Sequence, residues 1–268
     1  MVYLVKCIQI YLRIDFRFER NNRYMHRFFV HPAQISENTI HICGDDVKHI
    51  SGALRLGIGD AICVCDGARH DFECRITEIN KSEITAEITG KSDNINESRI
   101  NVTLYQGIPK GDKMDFIVQK CVELGAVKIV PVNMKRCIAK SNNISSRLAR
   151  WHRIALEAAK QCQRGIVPEI CEPIDFDIMV NLISHESALN IMPYECEDKT
   201  GLKHALQTAD NAKDINVIIG PEGGFDDSEA ESARNAGINT VTLGARILRC
   251  ETAPIATVAA VMYEFGDM

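Results

Sequence analysis

Two loops in the last quarter of the chain carry residues whose types and spacing could do chemistry. The first, Gly220-Pro221-Glu222-Gly223-Gly224, breaks out of the apolar run Val217-Ile218-Ile219. The second runs from Gly244 to Thr252 and contains Arg246, Ile247, Leu248, Arg249, Cys250 and Glu251; it follows a short run from Thr240 to Leu243. Glycines allow close backbone approach to a ligand and dihedrals that other residues avoid. Neither loop has a lysine behind its glycines or a clustered hydroxyl, so neither suits a triphosphate. Both suit a ligand held by backbone amides and carbonyls, such as an adenosine. The glycine spacing also departs from the dinucleotide pattern G-x-G-x-x-G.

A third segment, Gly107-Ile108-Pro109-Lys110-Gly111-Asp112-Lys113, invites a phosphate-loop reading and fails it. That motif places the lysine directly after the second glycine and a hydroxyl after the lysine. Here Asp112 intervenes and Met114 follows. The lysines themselves are more informative. Lys113 and Lys120 are seven apart on a helical pattern and share one face. Further on, Arg150, Arg153, Glu157, Gln161 and Arg164 form a polar stripe opposite Ile154, Ala155, Ala158 and Cys162. With Lys110 and Arg136 nearby, two basic stripes suit a phosphate backbone, although solvated helix faces look the same.

The charge distribution agrees with a local polyanion site. Net charge is −5, but residues 99–165 hold thirteen Lys and Arg against four Asp and Glu. Residues 166–268 reverse this, with six against eighteen. A basic block inside an acidic chain is a localised footprint, whereas a chain basic throughout would bind polyanions everywhere.

The elements that must position these residues fall into two patterns. From Arg27 to about Lys91 the chain reads as short strands: Arg27–Val30, Thr39–Ile42, Ala61–Cys65, Phe72–Ile79 and Glu83–Thr89. One helix, Asp46–Leu54, is expected to start on Asp45 or Asp46. This is a small barrel-like β-domain of roughly 70 residues. The polar stretch Lys91–Ser98 reads as a linker. Strands and helices then alternate: a strand at Asn101–Gln106, a helix at Asp112–Leu124, a strand at Lys128–Val132 and a long helix at Ser146–Arg164. A helix at Phe176–Ile183, a strand at Ala188–Ile191, a weak helix at Leu202–Gln207 and the two loops complete the series. Such alternation predicts a parallel sheet with helices on both faces, and such sheets bind ligands where strand ends spill into loops. The last helix, Ala253–Phe265, is apolar nearly all round, which predicts burial on two sides and hence a homodimer through this helix.

Composition bounds the rest. No run approaches the roughly 20 apolar residues of a membrane span. The eleven cysteines are scattered, without C-x-x-C or zinc spacing, and read as reduced core thiols of a cytoplasmic protein. Cys63 and Cys65 share one strand face. Residues 1–24 are read as a poorly placed extension ahead of a start at Met25.

The combined loops carry a resemblance. Val217 to Phe225 together with Leu243 to Ala253 resembles the ribosomal RNA small subunit methyltransferase E family of the SPOUT superfamily. Lys110, Lys113, the run Gln119 to Gly125 and the run Glu157 to Arg164 extend the likeness. His26-Arg27-Phe28-Phe29 and the pattern His49, Leu54-Arg55, Gly59-Asp60 are similar to the family's N-terminal domain. The resemblance covers residues 25–265 and leaves residues 1–24 outside. Cys137 and Cys162 stand where a serine is common, and Lys160 where an acidic residue is common.

The resemblance implies an α/β fold: a SPOUT-type knotted parallel-sheet methyltransferase domain at 99–268, preceded by a PUA-like RNA-binding β-domain at 25–92. It implies methyl transfer from S-adenosylmethionine, without a metal, to N3 of a uridine in 16S ribosomal RNA. Cofactor contacts are expected at Gly220, Glu222, Gly223, Gly224, Leu243, Gly244, Ile247 and Leu248, with Met192 on a third side. N3 bears a proton and is buried in pairing, so the base must be unpaired or flipped out. Arg249 is the candidate partner for the negative charge left on the ring. Glu251 is the candidate for removing the proton, or else a charge at the start of the last helix. Arg27, Lys110, Lys113, Lys120, Arg136 and Arg164 are the RNA-binding candidates. A non-catalytic RNA-binding module and a SPOUT methyltransferase acting on transfer RNA remain as alternatives.

Overall fold

The structure is a computed structural model and describes residues 25–138, 144–209, 212–265 and 268. The expectation for residues 1–24 lies outside these. The chain divides into two compact units. One holds the described residues up to Asn96 together with Gln163–Ile166; the other holds Glu97–Cys162 and Val167 onward.

In the first unit the elements are β1 (Arg27–Phe29), β2 (Thr39–Cys43), α1 (Asp45–Lys48), β3 (Ala61–Cys65), β4 (His70–Ile79) and β5 (Glu83–Asp93). Alternation decides which side chains go in: β2 buries Ile40 and Ile42, and β5 buries Ile84 and Ala86. The strands form one sheet in the order β1-β3-β4-β5-β2, with β1 parallel to β3 and the remaining pairs antiparallel. Phe28, Ile50, Ile62, Val64, Phe72 and Ile76 complete its core.

Two expectations change here. The helix expected over Asp46–Leu54 is four α-helical residues behind Gly44 (φ +76°), followed by a π turn over His49–Ala53. The Ser51 hydroxyl donates to the Val47 carbonyl at 2.7 Å, which competes with regular helical bonding. The linker expected at Lys91–Ser98 begins later, because Lys91, Ser92 and Asp93 pair with Phe72, Asp71 and His70. Their polarity reflects exposure on a long strand.

Arg27 is another correction. It is 9% exposed, and its guanidinium donates to both Asp71 carboxylate oxygens at 2.7 and 2.8 Å. It also reaches the Arg164 carbonyl at 3.2 Å, and Asn94 donates to the same carboxylate at 2.9 Å. Arg27 is thus a buried counter-ion in this unit, where the sequence suggested a phosphate contact.

The second unit contains β6 (Asn101–Gly107), α2 (Lys113–Glu123), β7 (Lys128–Asn133), α3 (Ile144–Gln161), β8 (Glu169–Ile170), β9 (Ile174–Asp175) and α4 (Phe176–Ser184). It continues with β10 (Leu189–Pro193), α5 (Leu202–Gln207), β11 (Asp214–Ile219), α6 (Asp227–Asn235), β12 (Asn239–Val241) and α7 (Thr252–Glu264). All pairings are parallel, in the order β12-β10-β11-β6-β7-β8, with β9 also on β7. Continuous apolar runs such as Val217-Ile218-Ile219 follow from burial of both sheet faces. Helices α4 and α6 pack on one face against Tyr105, Val130, Met192 and Ile218. Helix α2 packs on α3 and α7, and α7 lies against β6 and β11.

Helix α3 ends at Gln161, three residues earlier than expected. Gln163 adopts a left-handed φ of +63°, which ends the helix before Gly165. Arg164, expected on the basic stripe, is buried at 2% exposure. The apolar helix α7 is covered by its own unit on one side, at Pro254, Thr257, Val258, Val261 and Met262. Ile255, Ala259 and Ala260 are half-buried, and Ala256 and Tyr263 face outward. Among the described residues no helix is long and apolar enough to cross a membrane.

Candidate active site

The carboxyl ends of β10, β11 and β12 open into one cleft of about 870 Å³. Its walls are the two glycine loops and the end of β10 with the residues after it, Pro193, Tyr194, Glu195, Glu197 and Asp198. Ile219, Leu243, Ile247 and Leu248 supply apolar surface, while Glu195, Asp198, Glu222, Arg246 and Arg249 supply charge.

The first loop is fixed at both ends. Behind it, Asp226 caps α6 in a reciprocal arrangement with Glu229, whose carboxylate accepts from the Asp226 amide at 2.9 Å. The same buried Glu229 accepts from the Lys135 amide at 2.8 Å. Arg136 donates to the Gly223 carbonyl at 3.2 Å. Glycine is required at two places for different reasons. Gly224 has φ +67°, and a Cβ there would collide with a Glu195 carboxylate oxygen. Gly107, at the end of β6, passes so near Pro221 that a Cβ would come within 2.7 Å of it.

Lys113, the first residue of α2, reaches into this cleft. Its Nζ lies 2.9 Å from Glu222 Oε1, 3.4 Å from Glu251 Oε2 and 3.8 Å from Cys250 Sγ. Glu222 Oε1 also accepts from the Lys110 amide at 3.1 Å. Arg249 stands beside the cluster, 4.0 Å from Glu251, with its side chain 85% exposed.

The electrostatics follow from this geometry. Burial alone would raise the Glu222 carboxyl, but hydrogen bonds from Lys113, its own amide and the Lys110 amide bring it below the ordinary value. Burial also opposes ionisation of Glu251, and the Cys250 thiol, its own amide and Lys113 outweigh it. The Glu222 contact raises Lys113 further above the ordinary lysine range. Burial, then the contact with Glu251, pushes the Cys250 thiol up to about 12. At neutral pH the site therefore holds two carboxylates, an ammonium and a neutral thiol.

The sign of the linkage is fixed by these shifts. Two carboxyls depressed in the folded state stabilise it fully above their ordinary value of 4.5, and this is lost as pH falls through the folded values. Melting temperature is thus expected to drop on acidification below about pH 4.5 more steeply in the parent than in Glu222→Gln/Glu251→Gln. Equal slopes in a melting series would show that the pair contributes nothing to acid sensitivity.

The structure brings together most of the expected cofactor residues. Gly220, Glu222, Gly223, Gly224, Leu243, Gly244, Ile247 and Leu248 all line the cleft, as does Arg249. Met192 does not: it is fully buried in the core beneath, since β10 runs on to Pro193 and turns that side chain inward. Pro193, Tyr194, Glu195 and Asp198 line the third side and were missed, because that loop has no motif. Glu251 occupies the N-cap position of α7 but makes no capping hydrogen bond. Its carboxylate turns to Lys113 and Cys250.

The basic candidates separate. Lys110 is exposed, and Lys120 pairs with Glu123 at 2.8 Å on its own helix. Arg136 braces the first glycine loop and lies 3.7 Å from Asp226. Lys113 faces carboxylates in the cleft, and Arg27 and Arg164 are buried. On α3, Arg150, Arg153, Glu157 and Gln161 face solvent as the stripe predicts, with Arg150 ion-paired to Asp115.

Residues 96–262 match the RNA methyltransferase domain family, and residues 42–89 match the RNA methyltransferase PUA domain family. The chain is 30% identical over 249 residues to the ribosomal RNA small subunit methyltransferase E of Bacillus subtilis, covering 90% of this chain and 97% of that protein. It is 34% identical over 232 residues to the protein of that name from Mesomycoplasma hyopneumoniae, covering 86% and 96%. The solved structure of that methyltransferase from Neisseria gonorrhoeae, bound to S-adenosyl methionine, superimposes with a TM-score of 0.81 at 34% identity. It covers 91% of this chain and 100% of that one. The fold, the glycine-walled cleft and these matches agree, and the chain belongs to the ribosomal RNA small subunit methyltransferase E family.

Proposed function

We propose that the protein is an S-adenosylmethionine-dependent methyltransferase of 16S ribosomal RNA, with N3 of a uridine as the acceptor. The observation that carries this reading is the cleft in which two glycine loops meet the Lys113, Glu222 and Arg249 side chains, with Glu251 beside them. The relatives named above support the substrate class, and the gonococcal structure supports the cofactor.

The cleft fits S-adenosylmethionine on its own chemistry. It has room for a nucleoside, apolar walls for an adenine and glycines that let backbone groups approach. Gly220, Gly223, Gly224, Leu243, Gly244, Ile247 and Leu248 would hold it, with Pro193 and Tyr194 closing the third side. Bound there, the cofactor supplies a methyl group whose bond to sulfur is the one that breaks. Arg249, projecting from the second loop, faces the acceptor base and stabilises the negative charge as the N3 proton leaves. In this reading Glu251, ionised and 4.0 Å from Arg249, takes that proton.

The outward face of α7, with Ala256, Ala259, Ala260 and Tyr263, is the surface of a homodimer. The protein acts in the cytoplasm, where its substrate is made. The RNA grip lies on exposed bases such as Lys110 and Arg153, near the expected stripes. Lys110→Ala with Arg153→Ala is expected to lower the salt slope of RNA binding by about 1 for each phosphate that is no longer neutralised. An unchanged slope in binding titrations across salt concentrations would make these residues plain solvated surface.

Nucleoside mass spectrometry of ribosomal RNA from cells with and without the gene tests the activity. Loss of N3-methyluridine from small-subunit RNA is expected. Its loss from transfer RNA instead would move the substrate class, and a chain that fails to bind the cofactor in calorimetry would be a non-catalytic RNA-binding module.

A further inference from the structure

We propose that Lys113 is a positioning residue for methyl transfer: its ammonium ties Glu222 of the first glycine loop to Glu251 of the second and sets the distance between them. This inference rests on the methyltransferase reading above and assigns a residue to the same cleft.

Three observations carry it. First, Lys113 is turned toward carboxylates. Its Nζ lies 2.9 Å from Glu222, 3.4 Å from Glu251 and 3.8 Å from the Cys250 sulfur. Two carboxylates this near would repel an RNA phosphate. Second, Lys113 opens α2, where the helix dipole disfavours a cation. Two carboxylates from outside the helix, Glu222 and Glu251, offset that cost together with Asp115 of the first turn. Third, the two carboxylates belong to different loops. Glu222 follows β11 and is also gripped by the Lys110 amide, while Glu251 sits between Arg249 and the start of α7. Lys113 is the cation they share.

The consequence concerns alignment. Both loops wall the donor pocket, and the second also carries the groups proposed to face the acceptor. In-line transfer depends on their separation, and a misplacement of about 1 Å is enough to cost roughly 10²-fold in rate. A residue acting this way changes kcat while leaving RNA affinity alone. The ion pairs are partly exposed, with side-chain exposures of 37% for Lys113, 27% for Glu222 and 20% for Glu251, so their value is geometric more than energetic.

The test compares Lys113→Met and Lys113→Arg in the parent and in the Glu222→Gln/Glu251→Gln background. Methyl transfer to small-subunit RNA and calorimetric affinity for S-adenosylmethionine are both measured. In the parent background, Lys113→Met is expected to lower kcat by about 10²-fold with KM for RNA within about threefold. Lys113→Arg should recover part of that loss, which also separates lost charge from a failure to fold. In the double-glutamine background Lys113→Met should cost less than about threefold more, because the partners through which it acts are already altered. A raised KM with unchanged kcat would make Lys113 an RNA contact and overturn the proposal. A loss of equal size in both backgrounds would overturn it as well. Should the parent enzyme transfer no methyl to small-subunit RNA, the substrate reading fails separately. Cofactor affinity then decides: weakening confined to the parent background supports the tie, and weakening equal in both overturns it.

Discussion

Arg249→Ala is expected to lower kcat for methyl transfer by about 10² to 10³-fold and to leave affinity for S-adenosylmethionine nearly intact. The size is that of removing one preorganised donor from a charge that develops only during reaction. The division follows from geometry. The loop from Leu243 to Leu248 walls the cleft proposed for the cofactor, whereas the Arg249 side chain is 85% exposed and can meet a base entering from outside. Its exposure also keeps folding out of the result, since surface replacements usually change stability by about 0.5 kcal/mol or less. Arg249→Lys keeps the charge but loses the planar fork, so an intermediate rate is expected. Single-turnover transfer with saturating cofactor, together with calorimetric titration, makes the measurement. A large loss of cofactor affinity in Arg249→Ala would place the guanidinium in the cofactor pocket and remove it from the acceptor side.

The cleft was legible in the sequence because a glycine loop directly after an apolar run marks a buried strand opening at its carboxyl end. Gly220 to Gly224 and Gly244 to Leu248 line it as expected. The third wall was not legible, since Pro193 to Asp198 carries no motif. Extending β10 by two residues past Ile191 turned Met192 from a pocket residue into a core residue. Two-residue strands such as β8 and β9 are too short to show any period.

Charged residues misled for a different physical reason. A lysine or arginine on a helical face looks the same in sequence whether it meets solvent, a phosphate or a carboxylate. Arg153 and Gln161 do face outward along α3. Lys113, one helix earlier, meets Glu222 and Glu251, which lie more than a hundred residues away in sequence and which no local pattern could pair with it. Arg164 missed its stripe because Gln163 left the helix with a positive φ. Arg27 missed its role because the carboxylate that neutralises it, Asp71, comes from a strand far along the chain.

That pair sets the other large effect. Arg27→Ala is expected to destabilise the first unit by about 3 to 5 kcal/mol, the cost of leaving a buried carboxylate without its counter-ion. Asp71 is 5% exposed, and what remains to it are the Asn94 amide and the Cys65 thiol, neither charged. Burial raises the Asp71 carboxyl, but Arg27 leads the contacts that hold it below the ordinary value of 3.8. The pair's contribution is therefore present above that pH and is lost as pH falls through the folded value. Without Arg27, burial prevails, the carboxyl titrates upward and the unit becomes acid-sensitive at higher pH. Replacing both residues with apolar ones of similar volume should recover much of the loss, because a buried pair is costly mainly when one partner is missing. Urea unfolding followed by a signal from each unit distinguishes the cases: the first unit's transition should move and the second unit's should not. Unchanged unfolding together with weakened RNA binding would instead return Arg27 to the surface as a phosphate contact. Against that outcome stand both its hydrogen bonds to Asp71 and its contact with the Arg164 carbonyl, each made inside the unit.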